Sequence, residues 1–125
     1  MFDRQQLVGN WFRSDVQPNG DIHTEMAQLS IDGEYEFSFV VYDKDNNLIQ
    51  QNIELGDWGL VGDIHFTIAK AEVIDDETLP MDMADENNYH AYQVLKIDAR
   101  EFKYQHIVSK EVFILKRVVD NIAHC

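Results

Sequence analysis

Six side chains in this sequence have the types that do acid–base, metal or anion chemistry. They fall in two clusters: Arg13, His23 and Glu25 near the start, and Tyr104, His106 and Glu111 near the end. Imidazole with carboxylate suits zinc or iron. The spacing here matches no standard metal motif, so no metal is expected, and a hydrogen-bonded polar network is the plainer reading. His106 with Glu111 could pass a proton while Arg13 steadies an anionic group, which gives an isomerase or lyase as the enzymatic alternative. Asp43-Lys44-Asp45-Asn46-Asn47 has the opening of a calcium loop. Leu48 stands where that loop needs Gly and no Glu closes it, so it reads as a hairpin turn. There is no nucleophile–base arrangement and no phosphate-binding loop. No cofactor is expected, and the main reading is a binding protein rather than an enzyme.

The bulk properties narrow the classes further. A chain of 125 residues suits one domain, 1–125, and 45% hydrophobic residues can build a core. The 23 acids against 10 bases give a net charge of −13. That excludes a nucleic-acid backbone as partner and disfavours an anionic membrane surface. Six of the ten bases lie in the last thirty residues, so a basic C-terminal hairpin is expected beside acidic strands. The single cysteine, Cys125, forms no internal disulfide. No apolar run reaches the ~18 residues of a membrane span, and the start lacks a signal-peptide pattern. A cytoplasmic location is expected, with monomer and homodimer both open.

The elements that must position these side chains show as period-two alternation. Tyr35, Phe37, Phe39 and Val41 alternate with Glu34, Glu36, Ser38 and Val40. Ile49, Ile53 and Leu55 alternate with Gln50, Asn52 and Glu54; Ile64, Phe66 and Ile68 do the same, as do Phe102, Tyr104 and His106. Such alternation marks half-buried antiparallel strands. Eight are expected, at roughly 9–16, 21–31, 34–43, 47–56, 60–73, 88–97, 101–108 and 111–119. Turn chemistry lies between them at Pro18-Asn19-Gly20, Asp32-Gly33, Asp43 to Asn47, Gly56-Asp57 and Asp98 to Arg100. Only the start reads as helical, with Asp3 capping one turn through Leu7. Without a long helix, the strands must bury their apolar faces against each other. Short connections then favour an all-β, up-and-down antiparallel barrel. Residues 74–88 (IDDETLPMDMADENN) hold six acids and no base, and read as a flap or a disordered insert over the barrel mouth.

Gly9-Asn10-Trp11 after a short helical lead resembles the start of the lipocalins and the wider calycin group. That resemblance implies an eight-stranded barrel with Trp11 at its closed end and a late basic residue, here Arg117 of Phe113-Ile114-Leu115-Lys116-Arg117, packed over it. An up-and-down meander brings the two together independently, as a cation–π contact. The departures are clear. Ile97-Asp98-Ala99-Arg100 stands where a Thr-Asp-Tyr-like turn is usual, and the leader, disulfide and C-terminal helix of typical lipocalins are missing. The chain looks like a minimal intracellular relative of bacterial type.

Alternation also assigns an interior. A three-residue loop at Ile31-Asp32-Gly33 pairs Leu29 with Tyr35 and Ala27 with Phe37, turning His23 and Glu25 inward. A two-residue turn at Val108-Ser109 pairs His106 with Glu111, Tyr104 with Phe113 and Phe102 with Leu115. The expected floor is Trp11, Leu29, Tyr35, Phe37, Ile53, Leu55, Phe66, Phe102 and Leu115. Arg13, His23, Glu25, Gln51, Tyr104, His106 and Glu111 would stand above it. Trp58 is expected to plug the start of the fifth strand, and His65 and His90 to face solvent. A small hydrophobic or amphipathic ligand then follows. Arg13, Tyr104 and His106 would hold its polar or anionic end, with Gln51 and Glu111 nearby, and Phe37, Phe39, Phe66 and Phe113 would form the walls. The other reading is a filled barrel that acts as a protein-interaction module through its acidic loop.

Overall fold

The alternating segments pair, each with its neighbour, in the computed structural model, which describes residues 2–118. A capped turn, α1 (Arg4–Leu7), precedes β1 (Gly9–Val16), β2 (Ile22–Leu29), β3 (Glu34–Tyr42), β4 (Leu48–Val61) and β5 (Ile64–Ile74). The short β6 (Glu77–Pro80) and a 3-10 turn (Glu86–Asn88) lead to β7 (Tyr89–Ile97), β8 (Glu101–His106) and β9 (Val112–Arg117). Every pairing is antiparallel, β4 pairs with β5, and β1 pairs with β9. These contacts close eight strands into a barrel, with β6 as an added strip on β5. Closure is the answer to a chain with no helix to cover a sheet edge.

Two hairpins have the cross-strand pairs expected from the sequence: Leu29 with Tyr35 and Ala27 with Phe37, then Phe102 with Leu115 and Tyr104 with Phe113. The second turn is longer than two residues. The Ile107 amide donates to Ala91 O, and a loop of Ile107 to Lys110 joins the strands.

One end of the barrel is sealed by the chain's start. Leu7 and Trp11 are fully buried, and the Trp11 indole donates to Leu7 O at 2.8 Å. Arg117 is the register partner of Trp11, its guanidinium lying 4.1 Å from the indole centroid. It also donates to Val8 O at 3.0 Å and Gln6 O at 2.7 Å, tying α1 to β9. Gly9 is glycine because its φ is +137° and a Cβ there would meet the Arg117 guanidinium at 2.6 Å.

The β4–β5 wall corrects the sequence reading. Gly56-Asp57 is not a turn: β4 runs on through Trp58 to Val61, and the chain turns at Gly62-Asp63. Gly56 faces Tyr35 at a bulge, where a Cβ would lie 2.0 Å from Ile68 O. Trp58 belongs to β4, is buried, and donates its indole N–H to Ser30 O at 2.8 Å. Because Phe37 pairs with Glu54 and Phe39 with Asn52, Asn52 and Glu54 share the inward face. Ile53 and Leu55 therefore point outward. On β5 the buried His65 and Ala69 face in, so Phe66 faces out, its ring covering Gly59.

Residues 74–88, expected as a flap or a disordered insert, hold the short β6 and a 3-10 turn. Asp75 and Asp76, both with positive φ, make the two-residue turn of the β5–β6 hairpin. Among the described residues, no helix is long and apolar enough to cross a membrane.

Candidate functional site

Inside the barrel lies a cavity of about 150 Å³. Its floor is Trp11, Leu29, Phe102 and Leu115, which β1, β2, β8 and β9 turn inward by their pleat. Phe37 and Tyr104 form part of its wall, and Phe102 and Tyr104 pack with ring centroids 4.5 Å apart. The polar groups come from the strands whose faces sequence alternation misassigned: Glu54 of β4, His65 and Thr67 of β5, His90 and Tyr92 of β7.

Burial sets the state of these groups. His65 is 4% exposed, and burial pulls its pKa down to about 4, outweighing the opposing bond to Gly59 O. The neutral ring donates Nδ1–H to that carbonyl at 3.3 Å, which leaves Nε2 as a lone-pair acceptor. Burial also pushes the Tyr92 phenol up to about 12, and those of Tyr35 and Tyr104 well above the usual range. The phenols are thus neutral donors at ordinary pH. Tyr35 donates to Glu54 Oε2 at 2.7 Å.

The expected ligand-binding residues separate into four groups. Phe37 and Tyr104 line the cavity. Arg13, Phe39, His106 and Phe113 stand on inward-facing positions outside its lining. The Arg13 guanidinium lies 5.0 Å from the Phe113 centroid, and that ring stacks on Tyr104 at 5.3 Å. Phe39 packs edge-on to His23 at 5.6 Å. Gln51 and Phe66 take outward positions, because β4 and β5 have the opposite parity to the one expected. Glu111 is exposed at the last turn, and only its backbone carbonyl reaches His106, accepting the amide at 2.9 Å.

This geometry removes the His106–Glu111 proton relay among the described hydrogen bonds. His106 Nδ1 accepts the amides of Val108 and Ser109, both at 3.1 Å. Its proton therefore sits on Nε2, which donates to His90 Nδ1 at 3.0 Å. His90 is half-buried against Tyr92 and His65 is buried, so neither is the surface residue expected from the sequence. Both are missed because the polar positions they occupy, His65 on β5 and His90 on β7, face the barrel interior. The visible signal was Tyr35 opposite a glycine, which fixes β4's parity once β3 is known.

Asp43 accepts the amides of Asp45 and Asn47 and closes a hairpin turn on itself. Among the described residues, no three His, Cys, Asp or Glu side chains gather as a metal site. No protein-family model matches the chain, and no curated protein matches it in sequence. The class the fold defines is a closed, eight-stranded antiparallel β-barrel, compatible with a calycin-like fold.

Proposed function

We propose that this chain is a binding protein that holds one small, partly apolar molecule inside its barrel. The observation that carries this is the cavity of about 150 Å³, with an apolar floor and convergent polar side chains. A dry cavity of ~150 Å³ takes a molecule the size of benzene. The ligand is therefore one ring or its equivalent, not a long acyl chain.

The test pairs native mass spectrometry of the freshly purified protein with an NMR titration of benzyl alcohol. Ala27→Leu, on the cavity wall, adds bulk where the ligand would sit. Wild type should carry a small adduct or show saturable shifts at Trp11, Phe37 and Tyr104. Ala27→Leu should lose both while still unfolding cooperatively. Equal binding by Ala27→Leu and wild type would refute the cavity as the site. A barrel that takes nothing would leave function to the acidic surface of residues 75–87.

A further inference from the structure

Resting on that reading, we infer that the cavity is built for a small aromatic amine, bound as its ammonium with the charge against Glu54 and the ring on the aromatic floor. The argument begins with what the site lacks. Among the described residues, no Lys or Arg lines the cavity. The inward cation above it, Arg13, is already engaged: Glu25 accepts from Nε at 2.6 Å and from Nη2 at 3.1 Å, and Asp15 lies 4.0 Å away. A ligand carboxylate in the cavity would meet Glu54 with no free cation to offset it.

What the site offers is acceptors. Glu54 Oε2 takes the Tyr35 hydroxyl, and among the described residues no hydrogen bond ends on Oε1. Glu72 is the cross-strand partner of Glu54 and so shares its face, placing two like charges side by side. A bound cation relieves that repulsion. Two positions from Glu54 on the same face, next to the cavity's lining and not part of it, Asn52 Oδ1 is buried with no partner among the described residues. His65, on the neighbouring strand β5, also lines the cavity and keeps its Nε2 lone pair free of the bond to Gly59 O. An ammonium carries three N–H donors and no acceptor, which is the complement of this set. Tyr35, Phe37, Phe102 and Tyr104 line the same cavity, and aromatic faces attract a cation. The ring fills the floor, and the volume limits the rest of the molecule to a short stem.

Three probes of one size separate the cases: benzylammonium chloride, benzyl alcohol and sodium benzoate. They are titrated by calorimetry at neutral pH and fixed ionic strength. Benzylammonium should bind about tenfold or more tightly than benzyl alcohol, and benzoate should not bind. Glu54→Gln keeps an oxygen for the Tyr35 hydroxyl and should bring the amine down to the alcohol's affinity. If that variant does not fold, Glu72→Gln removes the neighbouring charge and should weaken the amine alone. Equal binding of alcohol and amine, or tighter binding of benzoate, would overturn the amine assignment while leaving the cavity reading intact. Binding of none of the three would overturn both.

Discussion

Lowering the pH should destabilise this protein through His65. The ring is 4% exposed and neutral, with its pKa pulled from the ordinary 6.5 to about 4 by burial. A folded value below the unfolded one means that the unfolded chain binds more protons between those limits. Stability is therefore full above pH 6.5 and falls as the pH drops toward 4. The gap of about 2.5 pH units, at ~1.4 kcal/mol each, gives a total of about 3–4 kcal/mol. About 2 kcal/mol of it is already lost at pH 5. Asp43, Asp98 and Glu101 contribute in a lower window. Their carboxyls are held below the usual range, by backbone amides in the first two and chiefly by Lys116 in the third. What they add is lost only as pH falls from the ordinary carboxylate range toward those lowered values. The assay is urea unfolding of wild type and His65→Gln at pH 7 and pH 5. Glutamine keeps a donor for Gly59 O and cannot titrate. The stability advantage of wild type over His65→Gln should shrink by about 2 kcal/mol between the two pH values. An advantage that stays constant would refute the buried, neutral assignment of this ring.

Arg117→Ala should destabilise the fold by about 2–3 kcal/mol in urea unfolding, since it removes the contact with Trp11 and two charged bonds to the carbonyls of Gln6 and Val8. Arg117→Lys should recover less than half of that loss. Gly56→Ala should leave little folded protein by circular dichroism, because its Cβ would fall 2.0 Å from the Ile68 carbonyl oxygen in the facing strand. A soluble Gly56→Ala with wild-type stability would refute the bulge. Replacing Asp75-Asp76 with Asn-Gly should stabilise the β5–β6 hairpin by about 0.5–1 kcal/mol, read as slower amide exchange from Ile74 to Pro80, since both positions have positive φ.

The sequence by itself determined the barrel. Its strands alternate over most of their length and are joined by turn residues, with no helix long enough to cover a sheet. Closure is the arrangement that then buries every apolar face. It also determined the closed end, because the topology of a meander brings the start of β1 to the end of β9, and so Trp11 to Arg117. Two hairpin registers followed from keeping apolar residues on one face.

The tertiary structure alone decided which face of β4 and β5 points inward. Alternation gives two faces but does not say which is inside when both are partly covered. Here Ile53, Leu55 and Phe66 cover the outer wall, and Glu54, His65 and Thr67 supply the interior. Gly56 reads as a turn residue, and Gly59 falls between two expected strands, because local sequence cannot show a close approach. One lies where the facing strand's carbonyl crowds in, the other beneath the Phe66 ring. The chemistry of the cavity depends on that parity. A slip of one residue in β4 and β5 would line the cavity with isoleucine and phenylalanine and leave Glu54 and His65 in water.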